Sequence, residues 1–126
     1  MKKILIVDDN PLNLKLMREI LNTADYNIVE ATDGIESVVI AMKEKPDLIL
    51  MDIQMPEMDG IEALKQLRLR SGLKHIPVIA VTAAAMEGDR ENFLSQGFDG
   101  CVTKPFAMKD LLSAVNKQIK METTNA

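Results

Sequence analysis

The chain of 126 residues holds a single cysteine, Cys101, and a single histidine, His75. One cysteine rules out a disulfide framework and points to a reducing, cytoplasmic setting. One His and one Cys, far apart in sequence, also give a zinc site of the usual kind no ligands to draw on. No apolar run reaches the ~18 residues of a transmembrane helix. The Met-Lys-Lys start passes straight into a strand pattern, too short and wrongly flanked for a signal peptide. Positive charge is in the minority: 15 Lys and Arg against 19 Asp and Glu give a net charge of −4. That balance argues against a nucleic-acid groove or an anionic membrane as partner. Nor is there length for a second domain; a chain of this size is expected to bury roughly two thirds of its unfolded surface in one core.

What the chain does have is a set of short apolar runs, each ending in a polar group. The organising one is Leu48-Ile49-Leu50-Met51, which runs into Asp52 and then into a loop punctuated by Pro56 and Gly60. A continuous apolar run bounded by turn residues reads as a strand covered on both faces, as in a parallel sheet. Ile4–Val7 reads likewise and stops at Asp8-Asp9, Ile76–Val81 stops at Thr82, and Phe98–Thr103 stops at Lys104-Pro105. Tyr26–Ala31 is a shorter, partly alternating strand.

Helix signals fall between these runs. Asn10-Pro11 supplies a cap and a first-turn proline, with Leu14, Met17 and Leu21 on one face and Leu12 and Leu16 toward its edge or beyond. Asp33 with Glu36, and Asp59 with Glu62, read as capping boxes. Ile35, Val38, Val39 and Met42 follow the period of a buried helix face, as do Ile61, Leu64 and Leu67 in the next unit. A fourth helix within Met86–Gln96 is weakly amphipathic, anchored only by Met86, Phe93 and Leu94, and Gly97 stops it. The last carries Met108, Leu111, Leu112, Val115 and Ile119; residues 122–126 form a polar tail expected to fray, leaving 1–121 as the domain.

Five βα units with crossovers of helical length imply an α/β, doubly wound, flavodoxin-like (βα)5 fold. Its parallel strands would run in the order 2-1-3-4-5, with helices on both faces. All strand ends then lie on one edge, and the switch point falls between the strands ending at Asp8-Asp9 and at Asp52. Two unit charges ~4 Å apart cost about 4 kcal/mol at an effective dielectric near 20. Three carboxylates against Lys104 alone therefore call for another cation. An all-oxygen donor set selects Mg²⁺ above Zn²⁺. A carboxylate beside Mg²⁺, a Lys and a Thr hydroxyl is equipped for phosphoryl chemistry, with the carboxylate as in-line nucleophile.

Asp8-Asp9, Asp52 followed by Met55-Pro56, Thr82-Ala83 and Lys104-Pro105, in order on the right strands, resemble the receiver domain of two-component response regulators across residues 2–120. The segments 51–60 and 82–86 are similar to receivers of hybrid kinases and of stand-alone, DivK-like regulators. The resemblance implies that Asp52 accepts a phosphoryl group from a phosphohistidine. Asp8, Asp9, Asp52 and the main-chain carbonyl of Gln54 would ligate Mg²⁺, with Mn²⁺ as a substitute. Thr82 would bond the phosphoryl oxygen, Lys104 would pair with its charge, and the Lys104-Pro105 bond would be cis. It further implies a signalling domain rather than a turnover enzyme, one that catalyses its own phosphorylation and slow dephosphorylation. Its partners would be a histidine kinase or histidine phosphotransfer protein, and a target bound through the fourth helix, fifth strand and fifth helix. A monomer or weak dimer is expected, with no nucleic acid and no membrane. A His-bearing donor helix would dock beside Leu12 and Leu16.

One departure stands out. Receivers usually carry Tyr or Phe three residues before the Lys; here that residue is Cys101. The aromatic half of the usual Thr–aromatic switch is missing, leaving the response muted or carried by the fourth helix alone. Ala84 is small, so water is not blocked from that side.

Plainer readings stand beside these. Asp8 and Asp9 could simply favour a helix N-terminus, Thr82 could cap the fourth helix, and Cys101 could be a small buried hydrophobe. Asp33 and Asp59 need no role beyond capping. Two other functions compete. A haloacid-dehalogenase-type phosphohydrolase uses the same residue types but an Asp-x-Asp motif after its first strand and usually a cap domain; here the aspartates are adjacent. A pseudo-receiver would be folded but never phosphorylated, against which the intact Asp8, Asp9, Asp52, Thr82 and Lys104 count.

Overall fold

A computed structural model describes residues 1–83 and 88–124, with side chains as far as residue 119. Ala84 and Met86, and the expectations that rest on them, lie outside the described residues. Five strands and five helices alternate: β1 (Lys3–Val7), α1 (Pro11–Asn22), β2 (Asn27–Ala31), α2 (Gly34–Glu44), β3 (Leu48–Asp52), α3 (Gly60–Arg68), β4 (Val78–Thr82), α4 (Asp89–Ser95), β5 (Gly100–Thr103) and α5 (Met108–Thr124). The strands form one parallel sheet in the order β2-β1-β3-β4-β5. The flavodoxin-like (βα)5 expectation is met strand for strand.

The apolar runs are continuous because the sheet is covered on both sides. Side chains alternate across a strand, and so each run feeds two cores. Leu5, Val7, Ile49, Met51, Val78 and Ala80 pack with α2, α3 and α4. Ile4, Ile6, Leu48, Leu50, Ile79 and Val81 pack with α1 and α5. All are wholly buried. At roughly 1.5–3 kcal/mol per buried aliphatic side chain, these runs supply the main drive for folding.

The N-caps hold as read, though the Glu36 carboxylate returns to the Thr32 N–H at 2.8 Å rather than to that of Asp33. Asn10 accepts the N–H of Leu12 at 2.9 Å, Asp33 that of Glu36 at 2.7 Å and Asp59 that of Glu62 at 2.9 Å. The α1 face of Leu14, Met17 and Leu21 is buried and also takes in Ile20, while Leu12 and Leu16 are exposed.

Three readings of buried faces need correction. In α2 the buried residues are Gly34, Ser37, Val38 and Ala41, whereas Ile35, Val39 and Met42 face solvent. Small side chains let α2 lie close against its neighbours: a Cβ on Gly34 would meet the Met58 carbonyl oxygen at 2.4 Å. The Ser37 hydroxyl is satisfied by donating to the Gly34 carbonyl at 2.6 Å. Among the described side chains of α5, Leu111 and Val115 are buried, Leu112 and Ile119 are half-buried and Met108, at the helix start, is exposed. In α4 only Phe93 is buried, and Leu94 is exposed. Helix α5 also runs on to Thr124, into the segment expected to fray.

Candidate phosphoacceptor and metal site

Asp8 directly follows β1 and Asp52 ends β3. Those strands are neighbours in the sheet, and the chain leaves them in opposite directions, to β2 on one side and β4 on the other. They flank the crevice where open α/β sheets bind ligands. Thr82 ends β4, the strand beyond β3, and Lys104 follows β5. The fold thus sets Asp8, Asp9, Asp52, Thr82 and Lys104 along one edge of the sheet, while His75 lies elsewhere.

Carboxylate oxygens of Asp8, Asp9 and Asp52 all lie within 4.8 Å of one another. Asp8 is wholly buried, Asp52 nearly so, and Asp9 is exposed. The two Asp8 oxygens are used differently. Oδ1 accepts the N–H of Asn10 at 2.9 Å, which fixes the carboxylate at the start of the loop into α1. Oδ2 lies 2.9 Å from Lys104 Nζ, an ion pair, and among the described residues it accepts no well-directed hydrogen bond. Lys104 Nζ is also 3.2 Å from Asp52 Oδ1, so one ammonium bridges the buried carboxylates. The Gln54 N–H points at the same Asp52 oxygen from 3.4 Å, too long for a strong bond. Thr82 is buried one position beyond Val81, the register partner of Asp52, and its carbonyl accepts the Lys104 N–H at 2.7 Å. The Lys104-Pro105 peptide is cis.

These contacts set the electrostatics. Burial, then the charge of Asp8, pushes the Asp52 carboxyl up to about 6, against the pull of Lys104 and the Gln54 N–H. At neutral pH Asp52 is still mostly ionised, but in a cluster short of positive charge. Burial works against the Lys104 ammonium, yet Asp8 and Asp52 more than offset it and hold its pKa above the ordinary lysine value. The donors are all oxygens, and the buried Asp8 Oδ2 accepts no directed hydrogen bond among the described residues. That set fits Mg²⁺, which takes one or two carboxylates and keeps several waters.

The plainer readings fare unequally. Thr82 does not cap α4, whose cap is Gly88 with no side-chain hydrogen bond. Asp33 and Asp59 cap helices as expected. His75 lies exposed before the start of β4, at the opposite edge of the sheet from the cluster. Cys101 is half-buried on β5, and burial raises its thiol pKa, which suits a packing residue rather than a reactive thiolate. Gly60, plain loop punctuation in the sequence, packs against the Asp52 main chain. The signal available for it is the run Asp-Gly-Ile-Glu, which occurs at 33–36 and again at 59–62.

Comparison with known proteins agrees with this geometry. The chain is 40% identical over 118 residues to the polar-differentiation response regulator DivK of Brucella anthropi, covering 94% of this chain and 96% of that protein. The Vibrio cholerae chemotaxis protein CheY4 superposes with a TM-score of 0.86 at 31% identity, over 93% of this chain and 98% of its own. The receiver domain of a Pseudomonas aeruginosa sensor histidine kinase, with a magnesium ion coordinated in its active-site cleft, superposes with a TM-score of 0.86 at 35% identity, covering 94% and 98%. Residues 4–116 match the response regulator receiver domain, and with the acidic pocket at the switch point of its sheet this chain belongs to that family.

Proposed function

We propose that Asp52 accepts a phosphoryl group from a phosphohistidine, within residues 1–121 as the working unit. The observation that carries this is Lys104 Nζ placed 2.9 Å from Asp8 and 3.2 Å from Asp52, beside three carboxylates that converge within 4.8 Å. Asp8, Asp9, Asp52 and the Gln54 main-chain carbonyl hold Mg²⁺, with Mn²⁺ as a substitute. When bound, the ion offsets the charge of the carboxylates and of the incoming phosphoryl oxygens. One Asp52 carboxylate oxygen attacks phosphorus in line. The phosphorus–nitrogen bond to the imidazole breaks, and the imidazole nitrogen takes a proton from solvent. Lys104 shifts its pairing toward the phosphoryl group, and the Thr82 hydroxyl donates to another of its oxygens. Water attack on phosphorus in the same pocket reverses the modification slowly.

The donor is a histidine kinase or histidine phosphotransfer protein in the cytoplasm, docking beside the exposed Leu12 and Leu16 of α1. The response is a change of protein contact through α4, β5 and α5, in a monomer or weak dimer. A groove of about 480 Å³ runs along that face, lined in part by Arg90, Cys101, Thr103 and Lys117. With Cys101 in place of an aromatic ring, α4 carries most of the response. Its seven residues and single buried anchor, Phe93, suit a low-stability element.

Phosphoramidate has the phosphorus–nitrogen bond of phosphohistidine and tests the chemistry without a partner. One phosphoryl adduct that requires Mg²⁺ and is cleaved by hydroxylamine is the expected result. Sustained release of phosphate from p-nitrophenyl phosphate would favour a phosphohydrolase instead.

A further inference from the structure

Gly60 is the first residue of α3 and is buried. Its φ is not in the left-handed region, so its backbone does not require glycine. At an ordinary helical position alanine is favoured over glycine by roughly 0.5–1 kcal/mol. The reason for glycine is space. A Cβ on Gly60 would lie 2.3 Å from the Asp52 carbonyl oxygen, 3.1 Å from the Asp52 carbonyl carbon and 3.0 Å from the Ile53 Cα. These are backbone atoms, which cannot swing aside as a side-chain end can.

The peptide that Gly60 presses on is held from its other side. The Ile53 N–H donates to the Val81 carbonyl of β4 at 3.2 Å, while the Ile53 carbonyl accepts the Gly60 N–H at 3.0 Å. The Asp52–Ile53 peptide is therefore held to β4 through its N–H, and the next peptide, Ile53–Gln54, is held to the start of α3 through its carbonyl. Asp52, with its carboxylate, stands at one end of this pair of peptides and Gln54 at the other. Gly34, in the other Asp-Gly-Ile-Glu run, packs as tightly but elsewhere: its Cβ would meet the Met58 carbonyl oxygen at 2.4 Å, at the far end of the same loop.

We infer that Gly60 is a positioning residue for the site: by admitting the Asp52 carbonyl against the α3 backbone, it sets where the Asp52 carboxylate and the Gln54 main chain stand. This rests on the reading of Asp52 and Gln54 as metal ligands. Gly34 fixes the loop but not the ligands. The two glycines therefore separate positioning from plain loss of stability.

The test is Mg²⁺ affinity by calorimetry, a method suited to a chain without tryptophan, on wild type, Gly60→Ala and Gly34→Ala, with urea unfolding of each. Gly60→Ala is expected to weaken Mg²⁺ binding by roughly tenfold or more, the size of effect that misplaced metal ligands produce. Gly34→Ala is expected to lose stability while binding Mg²⁺ within about twofold of wild type, because the atoms it displaces are not ligands. Binding by Gly60→Ala equal to wild type, or loss by both variants in proportion to their loss of stability, would overturn the inference. Failure of wild type to bind Mg²⁺ would instead overturn the reading beneath it. Should Gly60→Ala not fold, Mg²⁺ titration of wild type decides: the Gly60 amide resonance is expected to shift while that of Gly34 stays, and an unmoved Gly60 amide contradicts the inference.

Discussion

Lys104 meets two carboxylates, Asp8 and Asp52, with a single charge. Asp52 is where the imbalance shows, since its carboxyl sits at about 6 against about 3.9 in an unfolded chain. Between those values the folded metal-free protein holds a proton that the unfolded chain has released. The contribution of this group to stability is therefore full below about pH 4 and is lost as pH rises through about 6. Asp52→Asn removes the charge while keeping the shape. Without metal the variant should be more stable than wild type at pH 7, by on the order of 1 kcal/mol once solvent screening at the cleft is allowed for. The gain should vanish toward pH 4. Urea unfolding of both proteins across that range checks it; a wild type as stable as the variant at pH 7 would mean that the cluster is not strained. These residue-scale facts were only half legible in sequence. Asp8, Asp9, Asp52, Thr82 and Lys104 announce themselves at strand ends, but nothing in the sequence says that one ammonium would bridge two buried carboxylates.

Helix α2 shows where pattern reading reaches its limit at the scale of an element. Ile35, Val38, Val39 and Met42 have the period of a buried face, yet only Val38 is buried. Periodicity measures hydrophobicity, and α2 packs by smallness, with Gly34, Ser37 and Ala41 turned inward. The prediction is a contrast within one helix. Val39→Lys should change stability by no more than about 0.5 kcal/mol, as at other exposed positions. Ala41→Leu should cost about 1–3 kcal/mol through overpacking. Thermal unfolding of the two variants checks the assignment, and the reverse order would restore the hydrophobic stripe as the buried face. The strands posed no such problem, because residues covered on both sides must be apolar at every position. The same contrast accounts for Met108, which shares the apolar period of α5 but sits at the helix start, where it remains exposed.

For the whole molecule, the order β2-β1-β3-β4-β5 does the decisive work. It makes β1 and β3 neighbours, so that aspartates 44 positions apart in sequence, Asp8 and Asp52, share one lysine. The topology was readable from five apolar runs and the length of their connections. The close approach of α3 to the Asp52 main chain was not, because it depends on an absent Cβ rather than on a chemical group. We propose Asp52, set by this architecture in the acidic pocket, as the phosphoacceptor. The most direct test of this claim is intact mass after incubation with acetyl phosphate and Mg²⁺, wild type beside Asp52→Asn. Wild type should gain a single phosphoryl group, lost on treatment with hydroxylamine, and Asp52→Asn should gain none. An adduct of equal yield on Asp52→Asn, or none on wild type, would contradict the claim.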